Sequence, residues 1–156
     1  MNGDAAALCV RLLRERGQTV STAESCTGGL VSKKITDVPG ASAVFPGGVV
    51  SYAEGVKTAL LSVREQTLRD HTVVSRETAR EMAAGVRRLL GTDYGLSVTG
   101  LAGPDGDGIH PVGTIFIALS GPDGERCREL RLGNDRAANR EQAAQELLAL
   151  LADTLQ

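Results

Sequence analysis

Ala23-Glu24-Ser25-Cys26-Thr27-Gly28-Gly29 is the stretch on which the reading of this chain turns. A strand-like run ends there in hydroxyls and glycines, and a helix-like segment follows. Two further stretches share the pattern. One is Gly47-Gly48-Val49-Val50-Ser51-Tyr52, with Lys57 close behind; the other is Ser97-Val98-Thr99-Gly100-Leu101-Ala102-Gly103-Pro104. A strand ending in Ser, Thr and Gly presents hydroxyls and bare backbone N–H groups at the edge of its sheet. In open α/β sheets that edge is where ligands bind. Three such endings in one small chain imply one shared pocket.

Working outward, residues 5–16 set Leu8, Leu12 and Leu13 on one face, and Gly17 stops that amphipathic helix. A strand is expected over 18–23, a helix over 29–35 ended by Pro39-Gly40, and a strand over 49–52. Two short helices follow, at 54–61 and 64–70. Ser75 caps a longer helix in which Ala79, Met82, Ala83, Val86 and Leu90 recur at helical spacing up to Gly91. Strands are expected at 94–99 and 111–119. The turn Gly121-Pro122-Asp123-Gly124 then leads into a returning strand at 125–132. The segment 135–155 is a helix with Ala143, Leu147, Leu150 and Leu151 on its buried stripe. Alternating β and α units predict a three-layer α/β/α sandwich: a mostly parallel central sheet, helices on both faces and an antiparallel hairpin edge. No linker or repeat interrupts it, so one domain is expected over 1–156.

Composition narrows the function. The chain has 156 residues, 42% of them hydrophobic, enough for a substantial core. Aromatics are 3%, Trp is absent and the net charge is −2, which argues against nucleic acid or an anionic membrane as partner. The three cysteines, Cys9, Cys26 and Cys127, form no C-x-x-C pair and read as reduced thiols. The first ten residues lack the basic and apolar regions of a signal peptide, and no stretch has the length of a membrane span. A cytoplasmic location is expected.

The common nucleotide and metal signatures fail. There is no Gly-x-x-x-x-Gly-Lys-Ser/Thr run, and Gly100, Gly103 and Gly106 do not have dinucleotide spacing. His71 and His110 stand alone, without further ligands at metal spacing. Asp105-Gly106-Asp107-Gly108 opens like a calcium loop but lacks the closing Glu. No metal and no cofactor is expected.

Thr27-Gly28-Gly29 precedes a helix, and free N–H groups at a helix N-terminus bind anions. An ordinary cap by Thr27 or Ser25 explains the same residues. Glu24 adds weight to function, because a carboxylate beside several hydroxyls at a strand end orients something. Cys26 reads better as a small buried side chain than as a nucleophile, having no His partner in view. Serine needs a base to attack at neutral pH. Lys57, beside Val56, Ala59 and Leu60, would have its pKa lowered by partial burial and accept a proton, although composition alone favours a solvated surface lysine. Tyr52 ends the same strand and offers a relay hydroxyl. Ser25, Ser42 and Ser51 all lie near, and spacing alone selects none of them.

Taken together, Thr22 through Gly29, Gly47 through Tyr52 with Lys57, Val98 through Pro104, and Pro111-Val112-Gly113-Thr114 resemble the C-terminal domain of the competence/damage-inducible protein A (CinA) family, over about residues 8–151. Stand-alone members of that family are nicotinamide-nucleotide amidases. The resemblance implies hydrolysis of the carboxamide of nicotinamide mononucleotide to nicotinic acid mononucleotide and ammonia, without a metal, as a step in pyridine-nucleotide recycling. By position it assigns Ser42 as nucleophile, Lys57 as base, and Tyr52 and Thr99 as assisting hydroxyls. It matches Arg136 to a family arginine at the start of the last helix. Substrate contacts are expected from Arg136, Glu24, Ser25, Thr27, Gly28 and Gly100, with the phosphate held by Arg136 or by the helix N-terminus after Thr27. The only partners expected are the small nucleotide and further copies of the chain, since the resemblance implies a dimer or larger homo-oligomer. The chain departs from the family's frequent Ser-Asn-Glu-Ala at Ala53-Glu54-Gly55-Val56, and from a frequent lysine at His110. The family's frequent N-terminal nucleotide-processing domain, and its activity with it, are expected to be absent. Two rival readings are a sensing or interaction module that kept the pocket without the chemistry, and an amidase for another small amide.

Overall fold

The computed structural model describes residues 4–156; the first three residues of the domain expected over 1–156 lie outside that range. Strands β1 (Val20–Glu24), β2 (Gly47–Val50), β3 (Tyr94–Gly100), β4 (Thr114–Gly121) and β5 (Gly124–Arg131) form one sheet in the order β2-β1-β3-β4-β5. β1 pairs in parallel with both β2 and β3, and the β4–β5 hairpin adds two antiparallel pairings at the far side. Only β4 therefore runs against the other strands.

Helices cover both faces, so the sandwich read from the sequence is the fold. One core gathers α1 (Ala5–Arg16), α2 (Leu30–Thr36) and α6 (Arg136–Leu155) against one face, with Leu13, Val31, Ile35, Leu147 and Leu151 fully buried. The other face is covered by α5 (Arg76–Leu90), which buries Ala79, Met82, Ala83 and Val86. α3 (Glu54–Leu61) and α4 (Glu65–His71) pack beside α5. β1 and β4 have helices on both sides, so every residue of each is buried. Buried hydroxyls of the sheet find partners: Ser21 of β1 bonds Thr92, and Ser97 of β3 donates to the carbonyl of Ala79.

Caps follow the local sequence. Asp4, Ser75 and Asp135 accept main-chain N–H groups at the starts of α1, α5 and α6, and Gly17 and Gly91 close α1 and α5 in the left-handed conformation. The strands differ from their expected bounds by one to three residues, β1 starting at Val20 instead of residue 18, and two of the shifts have a local cause. β2 begins at Gly47 because Gly47 and Gly48 already pair with Ser21 and Thr22. Gly48 lies against Thr22, where a Cβ would meet the Thr22 hydroxyl oxygen at 2.1 Å. β4 begins at Thr114, not residue 111, because the Gly113 N–H is taken by Leu101 and its carbonyl by Leu132.

The strand order reverses direction at β1: the chain passes from β1 to β2 on one side, then crosses back to β3 on the other. The C-terminal ends of β1, β2 and β3 thus meet at one crevice, the position where open α/β sheets bind ligands. No described helix is long and apolar enough to cross a membrane.

Gly85 sits where α5 crosses the end of α3, and a Cβ there would lie 1.8 Å from the carbonyl oxygen of Leu61. An exposed mid-helix glycine gains about 1 kcal/mol on replacement by alanine. Gly85→Ala is expected to have the opposite sign, a loss of about 1–3 kcal/mol from overpacking, read as a lower urea midpoint with unchanged slope.

Candidate active site

The turn after β1 is built around Glu24. Its carboxylate is fully buried. It accepts from the Thr27 hydroxyl at 2.7 Å, from the main-chain N–H groups of Val31 and Ser32 at 2.9 Å each, and from the Ser32 hydroxyl at 2.6 Å. The N–H of Leu30 goes to the Thr27 carbonyl. The protein's own carboxylate thus occupies the anion site at the start of α2. This corrects the expectation that Glu24, Thr27 and Gly28 contact substrate: Glu24 and Thr27 are completely enclosed, and none of the three lines the cavity. It also removes the α2 N-terminus as a phosphate site.

Above this turn is a cavity of about 260 Å³ lined by Ser25 and Cys26 just after β1, by Tyr52, Glu54 and Lys57 from beyond β2, by Thr99 and Gly100 at the end of β3 with Leu101 through Gly103 and Asp105 beyond it, by Val73 and Val74, and by Arg136. Lys57, although charged in its ordinary state, is only 1% exposed. Its Nζ lies 3.0 Å from Ser25 Oγ, 2.5 Å from the Ser51 carbonyl oxygen and 3.3 Å from that of Tyr52. Burial lowers its pKa below the ordinary lysine value, outweighing the opposing influence of Cys26 and Glu54. A neutral amine has two N–H donors and one lone pair. The two carbonyls can only accept, so they take the donors, and the lone pair is left for the Ser25 hydroxyl.

The hydroxyl brought to Lys57 is therefore that of Ser25, and the expected pairing of Lys57 with Ser42 is corrected. Ser42 lies exposed on a short 3-10 helix, Ala41–Ala43, that precedes β2. The Val44 carbonyl just beyond it accepts from Val20, the first residue of β1, so this segment lies at the opposite end of the strands from the cavity. A five-residue strand such as β1 spans roughly 15 Å, too far for direct proton transfer.

The remaining expected residues divide. Tyr52, Thr99, Gly100 and Arg136 line the cavity with Ser25 and Lys57. Thr99 donates its hydroxyl to the Val73 carbonyl at 2.9 Å, so toward the cavity its oxygen acts as an acceptor. Arg136 reaches across the mouth from its own chain, donating to the Gly103 carbonyl at 2.6 Å and to the Tyr52 hydroxyl at 3.3 Å. Cys26 is buried, and burial pushes its thiol up to about 12, which leaves it protonated and unreactive at neutral pH.

Two positioning residues escaped the sequence reading. Arg140 donates to the carbonyls of Cys26 and Thr27 at 3.1 and 2.9 Å, and so clamps the Ser25 turn to α6. Asn139, 2% exposed, donates to Ala102 and Gly133, and its side-chain oxygen accepts from the Gly133 N–H. Both belong to α6, more than a hundred residues from the turn. Their only local signal is a polar pair next to the apolar stripe.

The architecture and the cavity define an α/β domain whose site is formed by three loops at the C-terminal ends of neighbouring strands. The profile of the CinA C-terminal domain matches residues 2–155, and the chain belongs to that family. A CinA-like protein of Myxococcus xanthus is 49% identical over 152 residues, which is 96% of this chain and 36% of that protein. A CinA-like protein of Frankia casuarinae is 51% identical over 140 residues, 90% of this chain and 32% of that protein. The chain thus spans about a third of the length of these curated relatives. Among solved structures, the competence/damage-inducible protein CihA of Agrobacterium tumefaciens superposes with a TM-score of 0.92 at 35% identity, covering 100% of this chain and 98% of that one. A competence or damage-inducible protein of Enterobacter asburiae gives 0.95 at 30% identity, covering 99% and 100%.

Glu24→Gln retains the size of the side chain but turns an NH2 group toward donors at α2. It is expected to cost about 1–3 kcal/mol, the penalty for buried polar groups left unpaired. Chemical denaturation of the variant beside wild type measures this; equal stability would mean that the carboxylate does not hold the turn.

Proposed function

We propose that this domain is a serine–lysine amidase that hydrolyses the carboxamide of nicotinamide mononucleotide to the acid and ammonia. The observation that carries the proposal is the 3.0 Å contact between Lys57 Nζ and Ser25 Oγ inside a cavity, with the lysine enclosed and its pKa lowered. A lysine kept from water serves no purpose in folding that a methionine would not serve at lower cost. Beside a serine it has the character of a general base. Membership of the CinA family supports the substrate, and no feature of the pocket calls for a metal.

In this reading Ser25 Oγ attacks the amide carbon while its proton moves to Lys57 Nζ. The carbonyl oxygen becomes an oxyanion. The Cys26 N–H, beside the nucleophile and without a main-chain acceptor among the described residues, is the candidate donor for it. Collapse of the intermediate breaks the C–N bond, and Lys57 returns its proton to the departing amine as ammonia. Water then attacks the seryl ester, Lys57 takes its proton, and cleavage of the ester releases the acid and restores Ser25. Thr99 Oγ1, with its own proton committed to Val73, accepts an N–H of the carboxamide and orients it. Arg136, exposed at the mouth, holds the phosphate by charge-assisted hydrogen bonds in place of its contact with Tyr52. The small cavity suits the ring and ribose, with the phosphate at the rim.

Ammonia release distinguishes the two serines. Ser25→Ala and Lys57→Ala are each expected to lower kcat by about 10²–10⁴-fold, whereas Ser42→Ala retains wild-type turnover. Full activity in Ser25→Ala would end this assignment, and binding of the nucleotide without turnover by the wild-type protein would favour a sensing module. The pH profile is a separate check. Below its folded pKa, Lys57 is protonated and cannot accept the Ser25 proton, so kcat rises with pH through that pKa and then levels off. The inflection is expected below the value of about 10.4 for a free lysine, and a profile flat through the alkaline range would exclude Lys57 as base.

A further inference from the structure

The segment between α4 and α5 holds a residue in a conformation that its side chain opposes. Among the described residues, only Ser62 and Thr72 have a positive φ without being glycine. Ser62, at φ 58° and ψ 29°, ends α3 in the left-handed helical region, as Gly17 and Gly91 end α1 and α5. Thr72 is different. Its φ of 65° is joined to a ψ of 178°. Only glycine enters that region freely, and a branched Cβ adds to the strain. Ending a helix does not require it, since α1, α3 and α5 end without it.

Hydrogen bonds hold Thr72 in place. The Thr78 hydroxyl donates to its carbonyl at 2.7 Å, and the Ser75 hydroxyl lies 3.0 Å from the same oxygen. Its N–H donates to the Leu68 carbonyl at 3.1 Å, and its hydroxyl accepts the Val74 N–H at 3.3 Å. Strain of this kind persists only where the surroundings enforce it, and it gathers at functional sites. Thr72 does not line the cavity, but the next two residues, Val73 and Val74, do. The Val73 carbonyl accepts the hydroxyl proton of Thr99, which is 1% exposed. A hydroxyl has one proton and two lone pairs. With the proton drawn to Val73, only lone pairs remain for the cavity.

We infer that Thr72 is a positioning residue: its strained turn carries the Val73 carbonyl to Thr99 and so fixes the Thr99 oxygen as an acceptor at the site. In an ordinary negative-φ conformation the chain leaving α4 would take another direction, and Val73 would not reach Thr99. The inference rests on the amidase reading for the group that Thr99 orients, and on the backbone and its hydrogen bonds for the part of Thr72.

The test uses Thr72→Gly, Thr78→Val and the double variant, each at a temperature where circular dichroism shows it fully folded. Thr72→Gly is expected to keep kcat and to raise the urea midpoint, because relief of strain outweighs the freedom that glycine adds to the unfolded chain. Thr78→Val removes the shorter bond to the Thr72 carbonyl with little change of shape, and the threonine relaxes. Ammonia release from nicotinamide mononucleotide then falls about tenfold in kcat through misplacement of the amide, with KM unchanged because Arg136 still holds the phosphate. In the double variant glycine keeps the turn without strain, and kcat recovers. A role in stability alone would lower the midpoint of Thr78→Val and leave kcat of the folded protein untouched. The Thr99 hydroxyl proton gives a second readout that needs no turnover. Shielded and bonded to Val73, it exchanges slowly with water and gives an NMR signal in wild type, lost in Thr78→Val and regained in the double variant. If the wild-type protein releases no ammonia, the amidase reading falls, and this signal decides the part of Thr72. A lower urea midpoint for Thr72→Gly, a signal that survives Thr78→Val, or a double variant no better than Thr78→Val overturns the inference.

Discussion

The burial of the Glu24 carboxylate between the end of β1 and the start of α2 is the constraint on which the site depends. A carboxylate removed from water is tolerated only when its lone pairs are filled by donors. Here two hydroxyls and two main-chain N–H groups fill them. The same contacts satisfy N–H groups that a helix start leaves without partners. Strand, turn and helix are thereby locked into one geometry, and Ser25, the next residue, has its place set by it. Arg140 fixes the other side of the turn through the carbonyls of Cys26 and Thr27. The nucleophile candidate is held on a rigid support, and none of the supporting side chains (Glu24, Thr27, Ser32 and Arg140) shares the cavity.

Lys57 completes the site by a different kind of constraint. Its amine is surrounded by two carbonyl oxygens and one hydroxyl oxygen, an acceptor-rich shell that accommodates either protonation state. Protonated, it donates to all three; neutral, it keeps the carbonyls and turns its lone pair to Ser25. The change between these two states therefore needs no movement of the chain. The two carbonyls belong to Ser51 and Tyr52, immediately beyond β2. The Ser51 N–H in turn is bonded to the Glu24 carbonyl. Lys57 and Ser25 are thus tied to each other through the pairing of β1 with β2, and the register of that pairing sets their separation.

Much of this could be read along the chain. The order of helices and strands follows from hydrophobic spacing and turn residues, both local properties: the stripe of Ala79, Met82, Ala83 and Val86 and the cap Ser75 mark α5 without reference to anything else. The three polar strand endings marked the pocket because strand ends are local too, and Tyr52, Lys57, Thr99 and Gly100 do meet there. Glu24 was legible as an orienting carboxylate, but what it orients is α2, not a ligand. Arg140 and Asn139 were silent, since their partners are distant in sequence and a polar residue on a helix looks the same whether it faces water or a carbonyl.

By itself the sequence determined that this protein is a layered α/β domain with a polar crevice at the ends of three strands, because periodicity and turn chemistry act over a few residues. It also supplied the lysine and three serines. Which serine the lysine reaches was decided only by the tertiary structure. Ser25 and Ser42 lie at opposite ends of the parallel strands, and parallel pairing carries Lys57 to the end that holds Ser25. A linear distance of fifteen residues to Ser42 against thirty-two to Ser25 counts for nothing once the sheet has formed, because strand direction, not separation along the chain, sets which side chains meet.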